Sequence, residues 1–370
     1  MTRPSIDAAT LLAVWRQNGD VPPEAEPEVV AAVRALAAED EPPLHLKILS
    51  AVGTALATAF FLAFMVVARL ISFESGGGLV AWGVIFLAAG IGLQVAARGA
   101  PVGLGRDVLA QTAFAATALG KIAAVGGAVH LAGVGTAWVP TAALLAVTVA
   151  TYPVSGSSLD RLLSPYAVAV SALFEILGRR ASGIDPSLGL FLFEATATIV
   201  AGALLLPDRV PAALRPIGSA ALAAMGTVVC LIATGHDAGA WVNDRPIDPR
   251  PIEALLTLAA IATLAWAGGG PRALARPPLA AAAIGAGLIG LAGAPGILFA
   301  LGVLIVGHAR HDVALRVIGI LALPGFLALW YWGRDMTLLE KSAALVGSGL
   351  LLLLGRAAVS VFGWDREEAR

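Results

Sequence analysis

From His45 to Val359 the chain alternates long apolar stretches with short polar turns, and this pattern sets the fold class before any single residue is weighed. An apolar run of about 20 residues is the length of a helix that crosses hydrocarbon. About twelve such stretches can be counted, at 46–70, 79–97, 108–134, 138–153, 162–177, 187–206, 217–234, 252–267, 279–293, 296–307, 313–332 and 338–359. The ninth and tenth are short and are parted only by Ala294–Pro295. They read as two crossings, one re-entrant hairpin or a broken pair, so eleven spans is the alternative. The expected fold is an all-α, polytopic transmembrane helix bundle.

Residues 1–43 break the pattern. They hold eight acids against three bases, with an apolar-periodic stretch from Ile6 to Trp15, a Pro/Glu linker at 21–27 and a second periodic stretch near 27–38. Ser5 before the first stretch and Gly19 after it are start and stop signals. This segment is expected to be an acidic, helical, cytosolic arm. It lacks the basic start and short apolar core of a signal peptide. Residues 44–360 form the bundle, and 361–370 are a short cytosolic tail.

Composition agrees with the pattern. The 370 residues are 58% hydrophobic and only 13% charged, against about 45–50% and about 25% for soluble chains. The abundant Ala and Gly within the spans let helices approach closely. A net charge of −1 gives no footing for nucleic acid. The single cysteine, Cys230, rules out an internal disulfide. Lysine and arginine near span ends are retained on the cytoplasmic side. With twelve spans and the amino terminus inside, fourteen of them fall inside and six outside, which places both termini in the cytoplasm. The pair Arg179–Arg180 lands outside, against the rule.

Low charge makes the exceptions conspicuous. Ionisable residues within spans cost about 2.5–3.5 kcal/mol on insertion scales and are functional candidates by default. Lys121 and Glu194 sit well inside apolar stretches. Their opposite signs at comparable depth suggest a pair, which either fixes helix register or lines a polar path for an ion, proton or small solute. His130 and Glu175 lie near span ends expected outside, as do Glu340 and Lys341, and Glu175 can pair with Arg179 at helical spacing. Together these six favour the outer half of the bundle, which suggests a polar cavity opening to that side. The loop holding His236, Asp237, Asp244 and Asp248 carries metal-ligand residue types without a metal-site spacing, and so does His308-Ala-Arg-His311-Asp312. No metal, cofactor or catalytic residue is expected, and no nucleotide-binding or hydrolase motif supports an enzyme.

The clearest motif is at the carboxyl end, where Trp330-Tyr-Trp-Gly-Arg-Asp-Met precedes Thr337-Leu-Leu-Glu-Lys-Ser342 and a Leu/Gly-rich stretch closed by Arg356. It is an interfacial aromatic belt, a polar turn and a span, with Thr337 and Glu340 at capping-box spacing. The segment from Tyr331 to Arg356 resembles the terminal signature of an uncharacterised bacterial membrane-protein family, a domain-of-unknown-function group. Members are often encoded beside a membrane protein with a Gly-Asp-Tyr-x-x-Leu-x-Tyr motif. Residue by residue, the resemblance marks Thr337, Leu338, Leu339, Lys341, Ser342 and Arg356. It implies a multi-pass protein of the bacterial inner membrane with a membrane-protein partner, and it implies no activity. The leading expectation is an envelope-associated protein that contacts the lipid bilayer and acts through that partner. The alternative is a transporter or channel with a polar cavity around Lys121 and Glu194.

Overall fold

The computed structural model describes residues 75–333, apart from 101–102, 134, 179–184, 208 and 235–246, with scattered positions on either side. The described residues form ten α-helices and one 3-10 turn (Pro271–Ala275), with no strand. We number the helices α1 (Gly76–Gly99), α2 (Leu104–Ala132), α3 (Val139–Thr151), α4 (Ser158–Leu177), α5 (Pro186–Leu205), α6 (Arg215–Thr234), α7 (Arg250–Ala267), α8 (Pro277–Leu291), α9 (Pro295–Ala309) and α10 (Val313–Trp332). Each overlaps one of the ten apolar stretches between 79 and 332. The first and twelfth stretches, the acidic arm and the tail lie outside the described residues, save for isolated positions.

Six helices, α1, α2, α5, α6, α7 and α10, are long and apolar enough to cross a membrane. The protein is a multi-pass membrane protein whose apolar helices contact the bilayer. The count of twelve crossings is not carried by the helix lengths. With 13 residues in α3 and 15 each in α8 and α9, these helices are about 20–22 Å long, short of a hydrocarbon core of about 30 Å. Helix α4 has the length, but Asp160, Arg161 and Glu175 make it less apolar.

Local chemistry starts several helices where the polar turns lie. Asp185 precedes Pro186 and accepts hydrogen bonds from Ser187 N and Leu188 N at the head of α5. Asp312 does the same for Ala314 N and Leu315 N of α10, and Ser75 accepts from Gly78 N at α1. A side-chain cap of this kind is worth about 0.5–2 kcal/mol.

The chain divides into two compact units. The first comprises Met1–Val134 with Val149–Asp160, and the second Gly135–Thr148 with Arg161–Arg370. The first is built on the antiparallel pair α1–α2, whose seam is a ladder of small residues seven apart. Gly76, Gly83, Gly90 and Ala97 on α1 face Ala113, Gly120 and Gly127 on α2, all of them buried. A Cβ placed on Gly83 would lie 2.6 Å from Ala124 N, and one on Gly127 2.7 Å from Gly76 O. Small residues with this repeat let two backbones touch along their length.

The second unit gathers a core from α5, α6, α7 and α9, with Leu190, Val228, Ile252, Leu298 and Phe299 among its buried residues. Helices α5, α7 and α9 end, and α6, α8 and α10 begin, on the same side. Gly218 approaches Leu204 and Leu205, Gly268 approaches Leu279, and Gly307 approaches Leu315 and Arg316. The turns on this side carry Arg209, Arg215, Arg272, Arg276, Arg310 and Arg316; the opposite end holds Arg250 among the described residues. Helices α8 and α9 form a hairpin rising from the arginine end. Its tip, near Ala292–Ala294, stops about one turn short of the far ends of α7 and α10, because Gly290 meets Thr257 and Gly296 meets Phe326. A cleft of about 230 Å³ lies there, lined by Gly293, Ala294, Glu253 and Trp330 among others.

Candidate functional site

In the first unit, Gly120 packs on Leu87, near the midpoint of α1, so the next residue, Lys121, sits at mid-height of the hairpin. Its ammonium Nζ lies 2.7 Å from Asp160 Oδ1, and the two side chains are only 7% and 5% exposed. Asp160 is delivered by the first turn of α4, where its N–H is 3.4 Å from Ser157 Oγ. The turn before it is tied to α1 twice. Gly156 N donates to Gln94 Oε1 at 3.0 Å, and Arg98 Nη2 donates to Val154 O at 3.0 Å. Gln94, Thr117, Thr151 and Ser155 are buried in the same unit, and Thr117 Oγ1 donates to Ala113 O at 2.8 Å. The lysine is therefore buried against a carboxylate, in a unit that also buries these neutral polar groups.

This arrangement corrects the expected pairing. Lys121 pairs with Asp160, while Glu194 belongs to the second unit and, among the described residues, neither of its carboxyl oxygens has a hydrogen-bond partner. Asp160 stands between the apolar stretches 138–153 and 162–177, so the apolar pattern alone does not place it in a helix. The Ser157-Ser-Leu-Asp160 spacing, a helix-start signal, places it inside the first turn of α4.

Glu194 is the ninth of twenty residues in α5 and has no exposed surface. It shares a face with Leu190, Ala197 and Ala201, which belong to the apolar core. One turn on, Thr198 Oγ1 lies 3.9 Å from Met225 Sδ. In that antiparallel pair, the level of Glu194 is the level of Val228 and Val229 on α6, both fully buried. A carboxyl here has lost water and gained no donor, an arrangement that costs several kcal/mol when charged (of order 2.5–3.5 on insertion scales).

The remaining candidates lie apart from these two. His130 is exposed near the end of α2, with Cδ2 beside Gly76. Glu175 is half-buried near the end of α4, and its expected partner Arg179 lies outside the described residues. Asp248 accepts from Arg250 N and, through its own N–H, donates to Ser187 Oγ, joining the starts of α7 and α5; His236, Asp237 and Asp244 lie outside the described residues. In the His308–Asp312 turn, Asp312 caps α10 and His311 adopts φ 54°, which turns the chain between α9 and α10. At the carboxyl-terminal signature, Ser342 Oγ donates to Leu339 O at 3.1 Å, and Thr337 is exposed. Leu338, Glu340, Lys341 and Arg356 lie outside the described residues.

The family model for a domain of unknown function, DUF4401, matches residues 43–360, nearly the whole chain beyond the acidic arm. The chain belongs to the DUF4401 family. No curated protein and no solved structure matches it. The DUF4401 match starts where the apolar stretches start, so the family's shared feature coincides with the helical bundle.

Proposed function

We propose that this DUF4401 chain is a structural component of the bacterial inner membrane that works by holding a partner membrane protein, with both termini in the cytoplasm. The observation that carries this reading is the closed Lys121–Asp160 pair, which binds the turn between α3 and α4 to the α1–α2 hairpin. A charge devoted to a conduit needs access to water, whereas a charge devoted to architecture is best enclosed with its counter-ion. The resemblance at Tyr331–Arg356 supports the partner, a membrane protein bearing the Gly-Asp-Tyr-x-x-Leu-x-Tyr motif. The arginine-rich end of the second unit supports the orientation, because lysine and arginine are retained inside. The acidic arm then faces the cytosol as a docking segment. The test is purification from native membranes in mild detergent with mass-spectrometric identification of what accompanies the chain. Stoichiometric recovery of the motif-bearing protein is expected; a chain recovered alone and monodisperse overturns the reading.

A second reading rests on Glu194, whose enclosed, unpartnered carboxyl is what a proton- or cation-carrying site within a bundle requires. Ion flux in proteoliposomes, lost in Glu194→Gln, is the outcome this reading requires. Equal flux from wild type and variant eliminates it.

A further inference from the structure

A second cleft, of about 250 Å³, lies among α5, α6, α7 and α9 in the second unit. It starts at Thr198 and runs along α5 to Leu206, a distance of about 12 Å toward the arginine end. It opens to the surface beside Ala262, which is exposed. Its walls are almost wholly hydrocarbon. The two hydroxyls in it are already engaged, Thr263 Oγ1 with Ala259 O at 2.7 Å and Thr198 Oγ1 with Met225 Sδ. Water in such a cavity needs two to four polar partners, and the cleft does not provide them, so it suits hydrocarbon.

The end of the cleft has the opposite character. Arg310 stands one turn beyond Val306, which lines the cleft on α9. Its Nε donates to Leu205 O at 2.9 Å, and its guanidinium lies 5.6 Å from the ring centre of Trp266. The side chain thus reaches from α9 to α5 and α7 one turn beyond the cleft, with five further arginines at the same end of the unit. Basic pockets between helices at a membrane surface attract anionic headgroups, at about 1 kcal/mol for each Lys or Arg.

We propose that the cleft is a binding site for an anionic glycerophospholipid, with one acyl chain between α5, α7 and α9 and its phosphate at the Arg310 end. The occupant follows from complementarity of both parts, a dry apolar slot and a cationic end. Glycine provides a clean probe of the slot. A Cβ on Gly302, which lines the cleft, meets no atom within 4 Å, so a side chain added there starts from open space beside the cleft.

Native mass spectrometry of the full chain in detergent, titrated with phosphatidylglycerol and with phosphatidylcholine of the same acyl chains, tests the site. One phosphatidylglycerol is expected to bind about five-fold or more tightly than phosphatidylcholine. Gly302→Leu is expected to weaken it about ten-fold with the melting temperature unchanged. Arg310→Gln is expected to bring the two lipids level; because Arg310 also holds Leu205 O, Arg276→Gln provides a second charge variant read on the same preference. Equal binding of the two lipids to the wild type overturns the proposal, and so does Gly302→Leu without effect. Competition by glycerol phosphate as effective as by the lipid reassigns the site to a free anion. A dimer whose formation excludes phosphatidylglycerol reassigns the cleft to a second copy of the chain.

Discussion

Lys121 and Glu194 raise the same physical problem, an ionisable group at mid-helix in an apolar bundle, and meet it differently. Lys121 has a counter-ion at 2.7 Å; Glu194 has only its enclosure. Removing one member of a buried pair leaves an uncompensated charge, at a cost of about 3–5 kcal/mol, whereas replacing both by apolar groups is often neutral. Lys121→Met is therefore expected to destabilise the protein by about that amount, and Lys121→Met with Asp160→Leu to recover most of it. Thermal unfolding of the wild type, both single variants and the double variant in detergent measures the coupling. A double variant as unstable as the sum of the singles would falsify the pair's role. Glu194→Leu is expected to leave stability unchanged or raise it, by up to about 3 kcal/mol, since no hydrogen bond is lost; a fall in the same melting assay argues against an unpartnered carboxyl. The sequence made both residues visible, because depth within an apolar run can be read along one chain. Their partners were not visible, because depth says nothing about which helices adjoin. Asp160 stands two residues before the apparent start of a span, yet its helix begins earlier and carries it inside.

At the level of elements, the α1–α2 hairpin is held by backbone approach and the second unit by interlocking side chains. Any side chain added on the small-residue ladder forces the helices apart, and overpacking typically costs about 1–3 kcal/mol. Gly83→Leu is expected to reduce folded yield and lower the melting temperature. Gly92→Leu, where a Cβ meets nothing within 4 Å, is expected to leave both near wild type. Comparable losses from the two would mean that helix propensity, not the seam, governs the pair. Abundant glycine and alanine announced close packing, but the seven-residue spacing of Gly76, Gly83 and Gly90 becomes meaningful only once α2 supplies the facing Ala113, Gly120 and Gly127. The helices between 79 and 332 were legible as apolar runs, whereas the starts of α2 and α4 fall four residues before the expected ones; Pro186, Pro277 and Pro295 each open a helix, and Asp185 and Asp312 act as caps. The short α8 and α9 were also legible as a weak pair. Their hairpin geometry was not, because it is set by where Gly290 and Gly296 meet α7 and α10.

For the whole molecule, the informative asymmetry is the arginine end of the second unit. In a chain with Cys230→Ala, a single cysteine at Arg272 is expected to label only after the membrane is opened, and one at Arg250 to label in intact cells. The reverse pattern, scored with a membrane-impermeant maleimide, inverts the topology proposed above. Charge along the sequence predicts the arginine end to be cytoplasmic, but only by assuming a count of spans. The structure adds that Arg209, Arg215, Arg272, Arg276, Arg310 and Arg316 lie on one side of six packed helices; which side of the membrane that is, the labelling decides.

The Lys121–Asp160 pair also has a place in time. The two residues are 39 apart, so at about 5–20 residues per second the lysine is synthesised, and emerges from the ribosome, about 2–8 s ahead of its counter-ion. During that interval the lysine of α2 lacks its counter-ion, which costs about 2.5–3.5 kcal/mol on insertion scales. A chain truncated after Thr151 should therefore leave Ile122→Cys reactive toward a water-borne maleimide, while the full chain buries the same position in lipid. That outcome would make the turn between α3 and α4, which supplies the counter-ion, the step that completes the first hairpin.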